Sequence, residues 1–152
     1  MVFRQKDPRA TFLIFSTGKI VITGLECVDY AEIAVNKLLK RIKKFGIKTS
    51  KPEITIQNIV ASGDLHNRID LNKAVLTMEF IMYEPEVFPG LIFNMKDPHA
   101  VFLIFSTGKF VCTGVKKEDI LETAILKLTQ EITHMNLTSD KVTEEKLELT
   151  FL

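Results

Sequence analysis

Residues Lys6–Gly24 read KDPRATFLIFSTGKIVITG, and residues Lys96–Gly114 read KDPHAVFLIFSTGKFVCTG. At a constant offset of 90 the two stretches differ only at Arg9/His99, Thr11/Val101, Ile20/Phe110 and Ile22/Cys112, so fifteen of nineteen positions are identical. Self-similarity on that scale marks a duplicated structural unit. In each copy FLIF and the run after it are β-rich, and the Ser-Thr-Gly-Lys between them has the composition of a short hairpin turn. The preceding segment, Val2–Lys6 or Leu91–Lys96, predicts another strand, ended by Asp-Pro at 7–8 and 97–98.

The offset continues downstream. Ala34, Lys37, Leu38 and Ile42 correspond to Ala124, Lys127, Leu128 and Ile132, and apolar residues spaced i, i+4, i+8 mark one helical face. Amphipathic helices are therefore predicted over 28–45 and 118–135. Asp29 with Glu32, and Glu118 with Asp119, lie near the two helix starts, where the macrodipole favours acids. Each unit thus reads as a three-stranded antiparallel meander followed by a helix.

The copies differ in what precedes them. The second has a predicted strand at Ile54–Ala61, a short helix near Asp70–Met78, an extended piece at Glu79–Tyr83 and the turn-rich EPEVFPG. Met1 aligns with Leu91, so the first copy lacks these parts. The expected organisation is a partial repeat over 1–51, a complete repeat over 52–137 and a tail over 138–152. The tail ends in the alternating KLELTFL, which predicts a strand standing where the first copy's missing strand would lie.

Both alternating sets of FLIF are apolar: Phe102 and Ile104 on one face; Val101, Leu103 and Phe105 on the other, continued by Val111 and Thr113. A sheet backed by helices on one side needs only one apolar face. Two long helices and one short one cover one side of a sheet of roughly eight strands, and the other side becomes a candidate binding surface. Asn58, Thr23, Thr113, Lys19 and Lys109 fall on that side. Apolar contact with Asn and Thr hydrogen bonding and flanking lysines suits the minor groove of a duplex.

Composition narrows the classes. The 152 residues are 46% apolar and 26% charged, with a net charge of +1, which excludes global disorder and any overall basic field. Eleven Phe stand against two Tyr and no Trp, a skew toward aromatic rings with no polar handle. Cys27 and Cys112 match no CxxC spacing and read as free thiols of a reducing compartment. His66, His99 and His134 share no metal-ligand spacing. No apolar run reaches the roughly 18 residues of a membrane span, and no signal-peptide core opens the chain. The expectation is a soluble intracellular protein without cofactor, metal or membrane partner. Catalysis is not expected either: no paired carboxylates in a plausible pocket, Ser/His/Asp order or phosphate-cradling glycine loop occurs. The STGK tetrapeptides lack the Walker spacing.

IQNIV, YEPEVFPGLIF and FLIFSTGK followed by VxTG resemble the TATA-box-binding protein family over nearly the whole stretch from Val2 to about Asn136. AEIAVNKLLKRIKK and PEITIQNIVASGDL are similar to its archaeal branch. The resemblance implies an α+β saddle, a curved antiparallel sheet with helices on its convex face. It also implies a function: a general transcription initiation factor that binds A·T-rich promoter DNA through the minor groove and bends it with Phe wedges, a mechanism taken from the family and not from the residue pattern. Phe88 and Phe105 match the second-repeat wedge pair and Phe15 one member of the first, giving three wedges where the family has four. Asn58 matches the base-contacting asparagine. Leu13, Val21, Thr23, Val60, Pro89, Leu103, Val111 and Thr113 match groove-lining positions, and Lys19 and Lys109 match phosphate-side lysines. Asn94 stands where the family usually has Arg, which Arg4 retains in the first copy.

Glu84 and Glu86, around Pro85, match acids with which the family docks a TFB/TFIIB-type initiation factor. Lys37, Lys40, Arg41 and Lys44 belong to a basic run with no acid between Asn36 and Pro52. Such a run is ordinarily a solvated face, and the resemblance adds regulator or upstream-DNA binding. The location implied is cytoplasm and nucleoid for an archaeal protein, nucleus for a eukaryotic one. With half of one repeat absent, homodimerisation stays open as its source, as does a coding segment upstream of Met1. The alternative function is a divergent interaction module that keeps the acidic loop and basic helix but binds DNA weakly or not at all.

Overall fold

The computed structural model describes residues 1–138 and 150–151. The fold class is α+β, and the chain divides into two compact units, the first Met1–Ile56 together with Phe151 and the second Gln57–Thr150.

In the first unit β1 (Val2–Lys6), β2 (Arg9–Ile14) and β3 (Ile20–Thr23) form an antiparallel meander, followed by α1 (Tyr30–Lys44). Residues opposite each other in register share a face. Phe3, Phe12 and Ile22 make one row, and Val2, Leu13 and Val21 make the next, on the other face. The first row lies under α1: Phe12, Ala34, Val35 and Leu38 are buried together, with Phe3, Ile22 and Ile42 packed against them.

A six-stranded sheet follows in the order β5 (Ile81–Met82), β6 (Leu91–Met95), β7 (Ala100–Ile104), β8 (Lys109–Val115), β4 (Ile59–Asp64) and β9 (Thr150–Phe151), and the second unit adds α2 (Leu71–Thr77) and α3 (Glu118–His134). Phe93, Phe102, Cys112 and Ala61 stand opposite one another in a row and all are buried. From α3 come Leu121, Ala124, Ile125, Leu128 and Ile132, also buried, the spacing of one helical stripe. Asp70 caps α2 by accepting a bond from the Lys73 N–H at 3.0 Å.

The duplicated meander and helix are thus present in both units. Two expectations change, and a third falls mostly outside the described residues. The expected single sheet is two, of three and six strands. The strand expected at Ile54–Ala61 runs instead from Ile59 to Asp64, because a strand needs a ladder partner and β8 begins to supply one only at Ile59, opposite Val115. Of the predicted C-terminal strand, Thr150–Phe151 form β9 beside β4, while 139–149 and Leu152 lie outside the described residues.

Cys27 and Cys112 are both free. Cys112 is buried in its row, and burial pushes its thiol up to about 12. Cys27 is only half-buried.

Candidate nucleic-acid interface

Among the described residues, one face of each sheet has no helix against it. In the first unit that face carries Val2, Leu13 and Val21, which are 60%, 36% and 46% exposed, with Arg4, Thr11 and Thr23 in the next row. In the second unit it carries the rows Ile92, Leu103, Val111, Ser62 and Asn94, Val101, Thr113. All of these are half-buried except the exposed Asn94, and Val60 beside them is half-buried too. None of these rows contains a carboxylate. Leu13, Val21, Thr23, Val60, Leu103, Val111 and Thr113 all therefore stand on these bare faces. Alternation alone would have added Val2, Ser62 and Ile92, which the sequence reading passed over because it followed motif matches rather than cross-strand register.

The hairpin turn is built identically in both copies. Phe15 N–H bonds the Lys19 carbonyl at 3.0 Å and Gly18 N–H the Phe15 carbonyl at 3.1 Å; Phe105 and Gly108 repeat this at 2.9 and 3.0 Å. Gly18 and Gly108 hold φ of +85° and +92°, a region that excludes ordinary side chains. The turn fixes a Phe and a Lys at each hairpin base, with Lys19 and Lys109 exposed. The surroundings differ. The second hairpin is tied to the loop after β4 by Leu65 N–H to Gly108 O and Ile69 N–H to Ser106 O, both at 3.0 Å. A Cβ at Gly108 would collide with the Asn67 backbone, whereas one at Gly18 would meet nothing within 4 Å.

Phe88 and Phe105 pack edge to face, with ring centroids 5.8 Å apart and planes at 66°. Both are half-buried, each ring covering part of the other. Phe15 is 52% exposed, and no ring pairs with it among the described residues. Pro89, which follows Phe88 in the chain, is exposed.

Asn58 is held at both ends of its amide. Its Nδ2 donates to Thr113 Oγ1 at 3.0 Å, and its Oδ1 accepts the Gly114 N–H at 2.9 Å. One Nδ2 hydrogen is left over, so the outward chemistry of this amide is that of a donor.

On the acidic loop Glu84 and Glu86 are exposed, as is Val87. The Glu84 carbonyl accepts the N–H groups of Val87 and Phe88, each at 2.9 Å, which closes the turn. The basic helix is less available than its sequence suggests. Lys37 bonds the Asp7 carboxylate and carbonyl, each at 2.9 Å, and Arg41 lies over the Phe3 ring, 5.1 Å from its centroid. Lys40 and Lys44 are exposed. Among the described residues no group of three His, Cys, Asp or Glu is placed to hold a metal, and no helix is long and apolar enough to cross a membrane.

These features define a duplicated α+β protein whose sheets are helix-backed on one face and largely apolar on the other, where Asp64 stands opposite Lys109. The sequence pattern of the family described as "Transcription factor TFIID (or TATA-binding protein, TBP)" matches residues 1–45 and 53–135, and the chain belongs to that family. It is 46% identical over 149 residues to the TATA-box-binding protein of Sulfolobus acidocaldarius, covering 97% of this chain and 75% of that one. It is 43% identical over 146 residues to that of Thermococcus celer, covering 95% and 77%. The solved structure of Methanococcus jannaschii TBP matches with a TM-score of 0.81 at 41% identity, over 88% of this chain and 80% of that one. The fold is therefore TBP-like, and the family is one of transcription factors rather than enzymes.

Proposed function

We propose that the chain is a transcription initiation factor that binds A·T-rich promoter DNA in the minor groove, kinks it with Phe88, Phe105 and Phe15, and recruits a TFB/TFIIB-type factor through Glu84 and Glu86. The observation that carries this reading is the bare apolar face with a donor amide, Asn58, on it, in a chain of this family. An A·T pair shows only acceptors in the minor groove, whereas a G·C pair adds an amino donor there. A leftover amide N–H and close-packed Val and Leu side chains therefore favour A·T twice, by hydrogen bonding and by excluding the guanine amino group. The reading carries with it an intracellular location and the contacts assigned above to Lys19, Lys109 and the groove-lining residues.

Mobility-shift titration of A·T-rich and G·C-substituted duplexes tests it. Each substituted pair is expected to weaken binding about tenfold or more. With Arg4, Lys6, Arg9, Lys19 and Lys109 as the basic groups on or beside the faces, the slope of log affinity against log salt should be no steeper than about −4.5, at about −0.9 per phosphate contact. Equal affinity for both duplexes, with a much steeper slope, would leave only nonspecific lysine binding.

The repeat organisation proposed with this function places the C-terminal segment where the first copy's missing strand would lie; its described part, β9, stands next to β4 in the sheet order. Deleting residues 146–152 is expected to speed amide exchange in Ile59–Asp64. Unchanged protection there overturns the assignment.

A further inference from the structure

Gly90 is buried, and its glycine identity has no backbone explanation: it is not among the residues with positive φ. What it has instead is two rings against it. A Cβ at this position would stand 2.7 Å from Phe88 Cε1, 3.2 Å from Phe88 Cζ and 3.0 Å from Phe105 Cε1. Carbon atoms pack at about 3.5–4.0 Å, so a methyl group here cannot coexist with both rings in their present poses.

The backbone from which each ring springs is pinned. Phe88 N–H bonds the Glu84 carbonyl and Phe105 N–H the Lys109 carbonyl, both at 2.9 Å. The rings' remaining freedom is rotation about their side-chain torsions, and the empty side of Gly90 is where those rotations come to rest. Gly63 offers the contrast. Its Cβ would stand 2.5 Å from Phe110 Cζ, but Phe110 is a core ring with nowhere to move. Phe88 and Phe105 are only half-buried, so they can swing aside while the fold stays intact.

We infer that Gly90 is the positioning residue of the wedge pair: its missing side chain is the seat that sets the 5.8 Å, 66° edge-to-face pose of Phe88 and Phe105. The role in DNA binding rests on the proposed wedge function, whereas the seat itself can be tested without DNA. The proteins to compare are the wild type, Gly90→Ala, Phe88→Ala and the Phe88→Ala/Gly90→Ala double variant. Gly90→Ala is expected to keep a near-native unfolding midpoint and to lose the ring-to-ring NOE between Phe88 and Phe105. It should also bend an A·T-rich duplex less by end-to-end FRET, and bind it roughly tenfold more weakly. In the Phe88→Ala background the same substitution should add almost nothing, because the nearer ring is gone. An NOE and a bend that both survive Gly90→Ala overturn the seat. A lost NOE with an unchanged bend instead overturns the wedge reading, and with it the part Gly90 plays in binding. Equal losses in both backgrounds, or unfolding that Phe88→Ala does not relieve, show a generic structural role and overturn the inference.

Discussion

Replacing Phe88 and Phe105 together by alanine is expected to abolish the bent complex with A·T-rich DNA and to weaken binding by at least about 100-fold, or about 2.8 kcal/mol. Each of the two rings is half-buried against the other. Inserting an apolar wedge unstacks a base step at a cost of a few kcal/mol, offset by contacts the bent duplex then makes along the protein. Removing both rings removes the step that opens those contacts, so bend and affinity should fall together. Phe15→Ala should cost less, because that ring has no aromatic partner among the described residues to widen the wedge. FRET between duplex ends, read beside a binding titration, checks both effects. The same variants separate the alternative reading. Pull-down of a TFB/TFIIB-type factor that survives the double substitution without DNA, from a wild type that bends no duplex, would favour an interaction module over a groove binder.

Gly108→Ala should be among the most destabilising single changes in the chain, and Gly18→Ala supplies an internal control. Both residues hold the left-handed conformation of the same turn, which costs a residue with a Cβ about 1–2 kcal/mol. At Gly18 the added atom meets open space, so that cost is the whole effect. At Gly108 it strikes the Asn67 backbone, and relief requires parting the hairpin from the loop that bonds it through Leu65 and Ile69. A loss of about 3 kcal/mol or more is expected there. Urea unfolding with hydrogen exchange at β7 and β8 measures the difference. Equal losses at the two glycines would mean that the Asn67 loop yields without cost.

The duplication made much of this readable from the sequence. An offset of 90 paired β1, β2, β3 and α1 with β6, β7, β8 and α3, and the FLIF alternation sorted Phe102 from Leu103 before any register was known. What stayed hidden depends on partners distant in the chain. ITIQ alternates like a strand, yet β8 reaches only as far as Ile59, so Ile54–Asn58 lack a ladder there. The register shift between Ile59 and Ala61 has no sequence signature either. Lys37 and Arg41 belong to an open basic run on paper, but the meander brings Asp7 and Phe3 beside them, so Lys37 pairs with Asp7 and Arg41 lies over the Phe3 ring. Gly90 could not be assigned a seat from sequence, because that role needs two rings 17 residues apart in the chain to converge on one backbone atom.

The clasp on Asn58 has an entropic consequence. Thr113 and the Gly114 N–H fix the rotamer of this side chain in the folded protein, and immobilising a freely rotating polar side chain on association costs on the order of 0.5–1.5 kcal/mol. That loss of freedom belongs to folding, so a ligand meeting the remaining N–H finds its orientation already chosen. Thr113→Val, which removes the hydroxyl while keeping the shape, would return part of that ordering cost to the encounter, the Gly114 N–H still holding Oδ1.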